Sequence, residues 1–296
     1  MATYDVWINK ALLPQQNDLR RHNEHCSADP EKLATVGRLL GHQVRIKRND
    51  DEYGLYTVSQ VCRENQENVV RMGKNGRARL GTSDEFEGTL DSRVPHATFS
   101  DAEAECNGEF VERLDDDGMH TALIVIAPHG GDIEAYTDQQ AEHVASQLAG
   151  KGVSSWRCKG WHPRGAFAHW HITSTDIHEA SFPLLNSIIS RGFTYAVAFH
   201  GFDDPEIPYD ILVGGRAPDA LKEELKSAIE DVVGSDFTVH ITTPDEHFGG
   251  DDEGNIVNRL TAGDANGVQI EQKNGPREKY WQPIADAVAN VFDSKF

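Results

Sequence analysis

Positive charge is scarce in this chain. Its 296 residues carry 28 Lys and Arg against 48 Asp and Glu, a formal net charge of −20 with histidine neutral. A surface this negative repels phosphate backbones and anionic headgroups, which argues against nucleic acid or membrane as a partner. Long apolar runs are missing too: none approaches the roughly 18 residues of a spanning helix. The opening MATYDVWINKALLPQQNDL has neither the basic nor the continuous apolar region of a secretory signal. Only four cysteines occur, Cys26, Cys62, Cys106 and Cys158, with no CxxC pair. That spacing excludes a zinc ribbon or a disulfide scaffold and suits reduced thiols. GxSxG, GxGxxG and GxxxxGK[ST] are absent, so a serine elbow, a dinucleotide fingerprint and a P-loop find no support.

What is present can build a sizeable core, with 38% apolar and 8% aromatic residues. The acidity is spread over Asp50-Asp51-Glu52, Asp115-Asp116-Asp117, Asp203-Asp204 and Asp251-Asp252-Glu253. This pattern suits a surface kept hydrated at high salt, and a halophilic origin is the expectation. Residues 1–41 are polar and helix-compatible, with Pro30 placed to open a helix over Glu31–Leu40. Residues 42–98 read as a small β-rich module. Val44 and Ile46 alternate with basic residues ahead of a turn at Asn49–Glu52, and Lys74-Asn75-Gly76 forms a second tight turn. An acidic connector, Ser100–Gly118, leads onward.

From residue 121 strands alternate with helices. TALIVIA (121–127) and FTYAVAF (193–199) are continuous apolar runs, as in sheets buried on both faces. Further strands are expected at 154–159, 168–173, 211–214, 238–242 and 267–271. Helices are expected at 137–148 (capped by Thr137 or Asp138), 182–191, 218–233 and 283–292. The expected fold is α/β: an open mixed sheet sandwiched by helices over residues 101–296, preceded by an extension and β-rich module at 1–100.

Ligands of such sheets bind at the carboxyl ends of the strands, and that is where the chemistry-bearing residues fall. His129 and Glu134 bracket Gly-Gly-Asp-Ile after the first strand. Imidazole and carboxylate are typical ligands of a catalytic zinc with three protein donors and one open position; equally, HGG is a plain turn with Glu134 on a solvated face. His200 ends a second buried strand and is the natural third ligand, ranked ahead of His171. Glu271, ending GVQIE, is the candidate general base, or else a glutamate paired with Lys273 or Arg277. Asn258-Arg259 offers a guanidinium for an oxyanion or carboxylate, or a surface arginine. Tyr209 lies on a loop of the kind that covers clefts, without an assigned role.

APHGGDIE, HITSTD, AFHGF, YDILVGG, NIVNRL and GVQIEQKNGPR stand in the order expected of the poly-γ-glutamate hydrolase family, first known from bacteriophages, which the chain resembles over roughly residues 120–296. The resemblance implies a zinc-carboxypeptidase-like fold with one Zn2+ per chain on His129, Glu134 and His200. It implies Glu271 as the acid/base and Asn258 and Arg259 on the substrate, with His171 near the site. Arg259, together with Arg277 or Lys273, would hold the α-carboxylates of an anionic polymer, poly-γ-glutamate. Asp132, beside the zinc turn, departs from the small residue expected there. The other readings are a metallo-carboxypeptidase, an N-acyl-amino-acid deacylase, and a virion structural or attachment protein retaining the hydrolase fold. A cellular owner would keep the protein in the cytoplasm. A viral one would carry it on the virion, contacting other virion proteins through the N-terminal region, or release it at lysis.

Overall fold

A computed structural model describes residues 3–12, 15–62, 68–244 and 246–296. The chain divides into two compact units, Met1–Thr98 with His162–Pro183, and Phe99–Trp161 with Leu184–Phe296. Residues 162–183, read from the sequence as part of the α/β domain, therefore fall in the first unit.

The first unit is a closed barrel built from β1 (Thr3–Lys10), β2 (His25–Ala28), β3 (Gln43–Asn49), β4 (Glu52–Val61), β5 (Val69–Met72) and β6 (Phe86–Asp91), in the order β1-β5-β2-β4-β3-β6. Antiparallel pairing of β6 with β1 and β3 removes the free edges that an open module would leave. Two expectations fail here. Residues 1–41 are not a helical extension, because β1 and β2 are barrel staves; helix is confined to α1 (Asp18–Arg21) and α2 (Pro30–Thr35). Lys74-Asn75-Gly76 is not a hairpin turn but begins α3 (Lys74–Ala78). The β3–β4 hairpin stands as read, although the module at 42–98 also includes residues 63–67, outside the described residues. Val6, Ile8, Cys26, Val44, Ile46, Tyr56, Val58 and Met72 fill the core. Residues 168–173, expected as a strand, instead belong to a helix, Ala166–Trp170, and the turn after it. His169 and His171 therefore share no strand face.

The second unit is a seven-stranded mixed sheet. Its strands are β7 (Phe110–Asp115), β8 (Leu123–Gly131), β9 (Ser154–Gly160), β10 (Tyr195–Gly201), β11 (Ile211–Gly214), β12 (Val239–Ile241) and β13 (Gly267–Gln272). They run in the order β12-β11-β13-β10-β8-β9-β7. The inner strands β9, β8, β10 and β13 are parallel, β7 pairs antiparallel to β9 and β11 antiparallel to β13, and β12 runs parallel to β11. The acidic connector is thus not a linker: it supplies β7 and a helix, α4 (Asp101–Asn107), started by a capping box between Ser100 and Glu103.

Leu123, Val125, Val197, Phe199, Val268 and Ile270 alternate onto one face of the sheet, against α5 (Thr137–Gln147), the helix Asp219–Val233 and the C-terminal helix Asn274–Asp293. The C-terminal helix starts nine residues before the expected Pro283 and is broken at Tyr280 (φ −128°, ψ 17°). Two helical segments meet at that break, so Pro283 lies in the first turn of the second, where proline is tolerated, and the expected helix at 283–292 falls within that segment. α5 is capped by neither Thr137 nor Asp138; its N-cap is Tyr136 in the left-handed region at φ 77°. Cys26 and Cys158 are buried free thiols. No helix among the described residues is long and apolar enough to cross a membrane.

Candidate active site

The carboxyl ends of β8, β10 and β13 meet in the second unit. The β8–β9 register slips between Ala127 and Gly130, so His129 sits on an irregularity that turns it off the regular pleat. Beyond it the chain folds back tightly, with Glu134 N–H donating to His129 C=O at 2.8 Å. Gly131 makes that turn feasible. Its φ is +67°, and a Cβ there would lie 2.7 Å from the carbonyl oxygen of Gly160.

Three donor side chains converge as a result. His129 Nδ1 lies 3.1 Å from Glu134 Oε1, His200 Nδ1 3.3 Å from Glu134 Oε2, and the two Nδ1 atoms 3.2 Å apart. All three residues are at least 95% buried. Glu134 Oε2 also accepts from Gly201 N–H at 2.9 Å, so the strand that carries His200 orients the carboxylate. Burial would raise the Glu134 pKa, but the two imidazoles hold it well below the usual carboxylate range.

Glu271 is in register with His200 across the parallel β10–β13 pair, which places both side chains on the same face. Burial, with Glu134 adding to it, pushes the Glu271 pKa up to about 8 against the opposing pull of His200 and Arg277. Its Oε2 is buried with no hydrogen-bond partner among the described residues. Its Oε1 accepts from Gln269 Nε2 at 3.0 Å, and Gln269 Oε1 in turn accepts from Asn255 Nδ2 at 2.8 Å. That relay escaped the sequence reading. Its signal was the two-residue spacing of Gln269 and Glu271, which puts both on one face of a strand.

Arg277 joins the cluster. Its Nε donates to Gln272 C=O at 3.2 Å and its Nη1 to Ala135 C=O at 2.8 Å, and it packs where any side chain at residue 201 would sit. Burial lowers its pKa, while Glu134 and Glu271 act to raise it.

The surroundings of the other expected site residues are as follows. Asn258 is fully buried in a short helix, Ile256–Arg259, and its Nδ2 donates to Gly250 C=O and Asp252 C=O, both at 2.8 Å. Its amide donors hold the acidic loop and are not presented to a ligand. Arg259 ends the same helix and is half-buried. Tyr209 stacks on His240, with ring centroids 4.1 Å apart at 6°. His171 belongs to the first unit, where its ring stacks on Phe167 at 4.3 Å.

A second support also escaped the sequence reading. Lys159 Nζ lies 2.7 Å from Asp101 Oδ2 and 2.9 Å from Asp138 Oδ2, and Asp138 Oδ1 accepts from Gly131 N–H at 3.1 Å. Asp138, read as a helix cap, ties the glycine turn to β9 instead. Asp132 is exposed, and its N–H donates to Gly160 C=O.

Among known proteins, the SPbeta prophage-derived UPF0714 protein YoqZ of Bacillus subtilis (strain 168) is 25% identical over 168 residues, 57% of this chain. This chain spans about half the length of that relative, 55% of it. A solved bacteriophage poly-gamma-glutamate hydrolase aligns at 25% identity over 62% of this chain and 89% of its own, with a TM-score of 0.47. The zinc-free form of YNDL aligns at 20% identity over 70% of this chain and 99% of its own, with a TM-score of 0.50, which shows a shared fold. The family model for poly-gamma-glutamate hydrolase matches residues 99–290. The chain therefore belongs to the poly-gamma-glutamate hydrolase family.

Proposed function

We propose that this chain is a zinc-dependent hydrolase that cleaves the γ-glutamyl amide bonds of poly-γ-glutamate, with one Zn2+ held by His129, Glu134 and His200. The observation that carries the proposal is the spacing of the donors. Ligands at 2.0–2.1 Å from a tetrahedral zinc stand about 3.3 Å apart, and these three groups lie 3.1–3.3 Å from one another. Two imidazoles and one carboxylate are also a regular donor set for catalytic zinc, and their position at strand ends fits a carboxypeptidase-like arrangement.

Bound zinc supplies Lewis-acid polarisation of the scissile carbonyl and lowers the pKa of a water molecule. The remaining work falls to side chains of this chain. Glu271 in its ionised form, which a dication on the neighbouring ligands would favour, with its unpartnered Oε2 and with Oε1 fixed by Gln269, takes the proton of the attacking water. It then delivers that proton to the departing α-amine of the next glutamate. Poly-γ-glutamate leaves an α-carboxylate beside every scissile bond, and a cation must receive it. Arg277 uses Nε and Nη1 on backbone carbonyls, and its Nη2 is the donor that would receive that carboxylate. Arg259 is the second candidate for that role.

Three variants and a substrate panel test the proposal. Glu271→Gln should keep zinc at the His129–Glu134–His200 site and lose roughly 10²–10⁴-fold in kcat, the usual contribution of a general acid/base. His129→Ala should lose the zinc of that site together with activity. Arg277→Met should raise KM for γ-linked chains. Full turnover by Glu271→Gln removes the proposed base, and equal cleavage of α-linked polyglutamate removes the proposed substrate class.

A further inference from the structure

Outside the hydrolase unit, the barrel unit carries a second convergence of metal-ligating side chains. Asp18 opens α1, His22 follows its last residue and His25 begins β2, the spacing Asp-x3-His-x2-His. One ligand atom from each residue lies within 4.8 Å of the other two. His22 Nε2 stands 3.4 Å from Asp18 Oδ1, and His25 Nδ1 stands 3.4 Å from Asp18 Oδ2. The two imidazoles stack with centroids 4.5 Å apart at 21°.

A lone Asp–His pair at i, i+4 on an exposed helix is an ordinary surface contact of little energy. Two features exceed that. His25 is 93% buried, since its relative exposure is 7%, and so is not a solvated surface group. Its far nitrogen, Nε2, lies 2.7 Å from Asp176 Oδ2 in the 162–183 segment of the same unit. A carboxylate behind an imidazole favours the tautomer with the proton on Nε2, and in that neutral form the Nδ1 lone pair points toward Asp18 and His22. This is the arrangement that commonly backs a metal-bound histidine. Without a cation the Nδ1 lone pair would face a carboxylate oxygen.

We infer that Asp18, His22 and His25 form a second divalent-metal site, backed by Asp176 and separate from the proposed catalytic zinc. Two nitrogens and one oxygen favour Zn2+, Ni2+ or Cu2+ over Mg2+ or Ca2+, which take oxygen donors. The half-exposed side chains of Asp18 and His22 leave a remaining position to water. The ion would fasten α1 to the start of β2, and through Asp176 would fasten the 162–183 segment to the barrel. Its role is to stabilise that unit and not to take part in catalysis.

The test is metal stoichiometry on the full chain. Protein stripped by chelator is dialysed against Zn2+ in roughly 1 M KCl, where a Debye length of about 3 Å suppresses diffuse binding to the acidic surface. The wild type should hold two equivalents, His22→Ala one, His129→Ala one, and the double variant none. Asp176→Asn, a gentler change, should weaken the barrel site by roughly 10–100-fold. Zn2+ added to His129→Ala protein should still raise its Tm, and the rise should vanish when His22→Ala is added. The alternative is a protonated His25 held between Asp18 and Asp176 with no metal. It predicts the same zinc content and the same zinc-dependent Tm with and without His22→Ala, and that result overturns the inference. A chain that loses an equivalent with His22→Ala but none with His129→Ala leaves this site standing and removes the proposed catalytic zinc instead.

Discussion

Replacing Lys159 by methionine is the most direct way to ask whether the buried ion cluster supports the site. Lys159 is 7% exposed and Asp138 5%, and their charged atoms lie 2.9 Å apart. Methionine preserves the volume of the aliphatic stem but removes the ammonium. Asp138 then remains a buried carboxylate whose one other bond among the described residues is from Gly131 N–H. Breaking a buried pair from one side costs about 3–5 kcal/mol. The lower end applies here, because the third member, Asp101, has a side chain 41% exposed and can turn to water.

At about 2–4 °C per kcal/mol for a unit of this size, the Tm should fall by roughly 6–12 °C in calorimetry. The pH dependence carries a sign. Burial alone would lower the Lys159 pKa, but Asp138 and Asp101 raise it above 10.5, so its contribution is complete below 10.5 and disappears as pH rises through the higher folded value. Burial would raise the Asp101 pKa, but Lys159 and Arg113 lower it below 3.8, so that contribution is present above 3.8 and lost as pH falls through the lower folded value. The gap between wild type and Lys159→Met should therefore be constant across neutral pH and close at both extremes. Adding Asp138→Asn should recover part of the loss, with a coupling of about 1 kcal/mol or more. A Lys159→Met protein melting within roughly 2 °C of wild type, less than 1 kcal/mol at this size, refutes the reasoning.

Gly131→Ala should cost about 1–2 kcal/mol for the left-handed backbone alone. It should also weaken metal binding at least ~10-fold by shifting the turn between His129 and Glu134, readable by zinc titration. Glu112→Ala removes the carboxylate that accepts from Leu184 N–H, Leu185 N–H and Trp156 Nε1–H. It should lower stability by about 2–4 kcal/mol in denaturant melts, as orphaned buried donors do, with zinc content unchanged. With a formal charge of −20 on the chain, kcat/KM for poly-γ-glutamate should rise several-fold between about 0.05 and 0.5 M NaCl as repulsion is screened. A flat or falling profile would mean that the cations near the site dominate the approach of the polymer.

Local pattern determined much of the second unit. Runs such as TALIVIA read as strands buried on both faces, and the residues at or just past strand ends, His129, Glu134, His200 and Glu271, are found together with Arg277 of the C-terminal helix. Some of the missed structure was also legible. Tyr4, Val6 and Ile8 alternate with Asp5, Trp7 and Asn9, a strand signal hidden by the overall polarity of residues 1–41, and Ser100-x-x-Glu103 is a capping box. Other features had no local signal. β2 is four residues long with every one buried, so no alternation exists to read. Asn258 looked like a ligand-binding amide until the fold turned both its donors onto the acidic loop. The Asn255–Gln269–Glu271 relay, the Lys159–Asp138–Gly131 tie and the approach of Asp176 to His25 include links between residues as far as 14, 21 and 151 positions apart in the chain. Periodicity reports which side of an element faces the core. Which polar group meets which across that distance depends on strand order and register, and those were decided by packing in three dimensions.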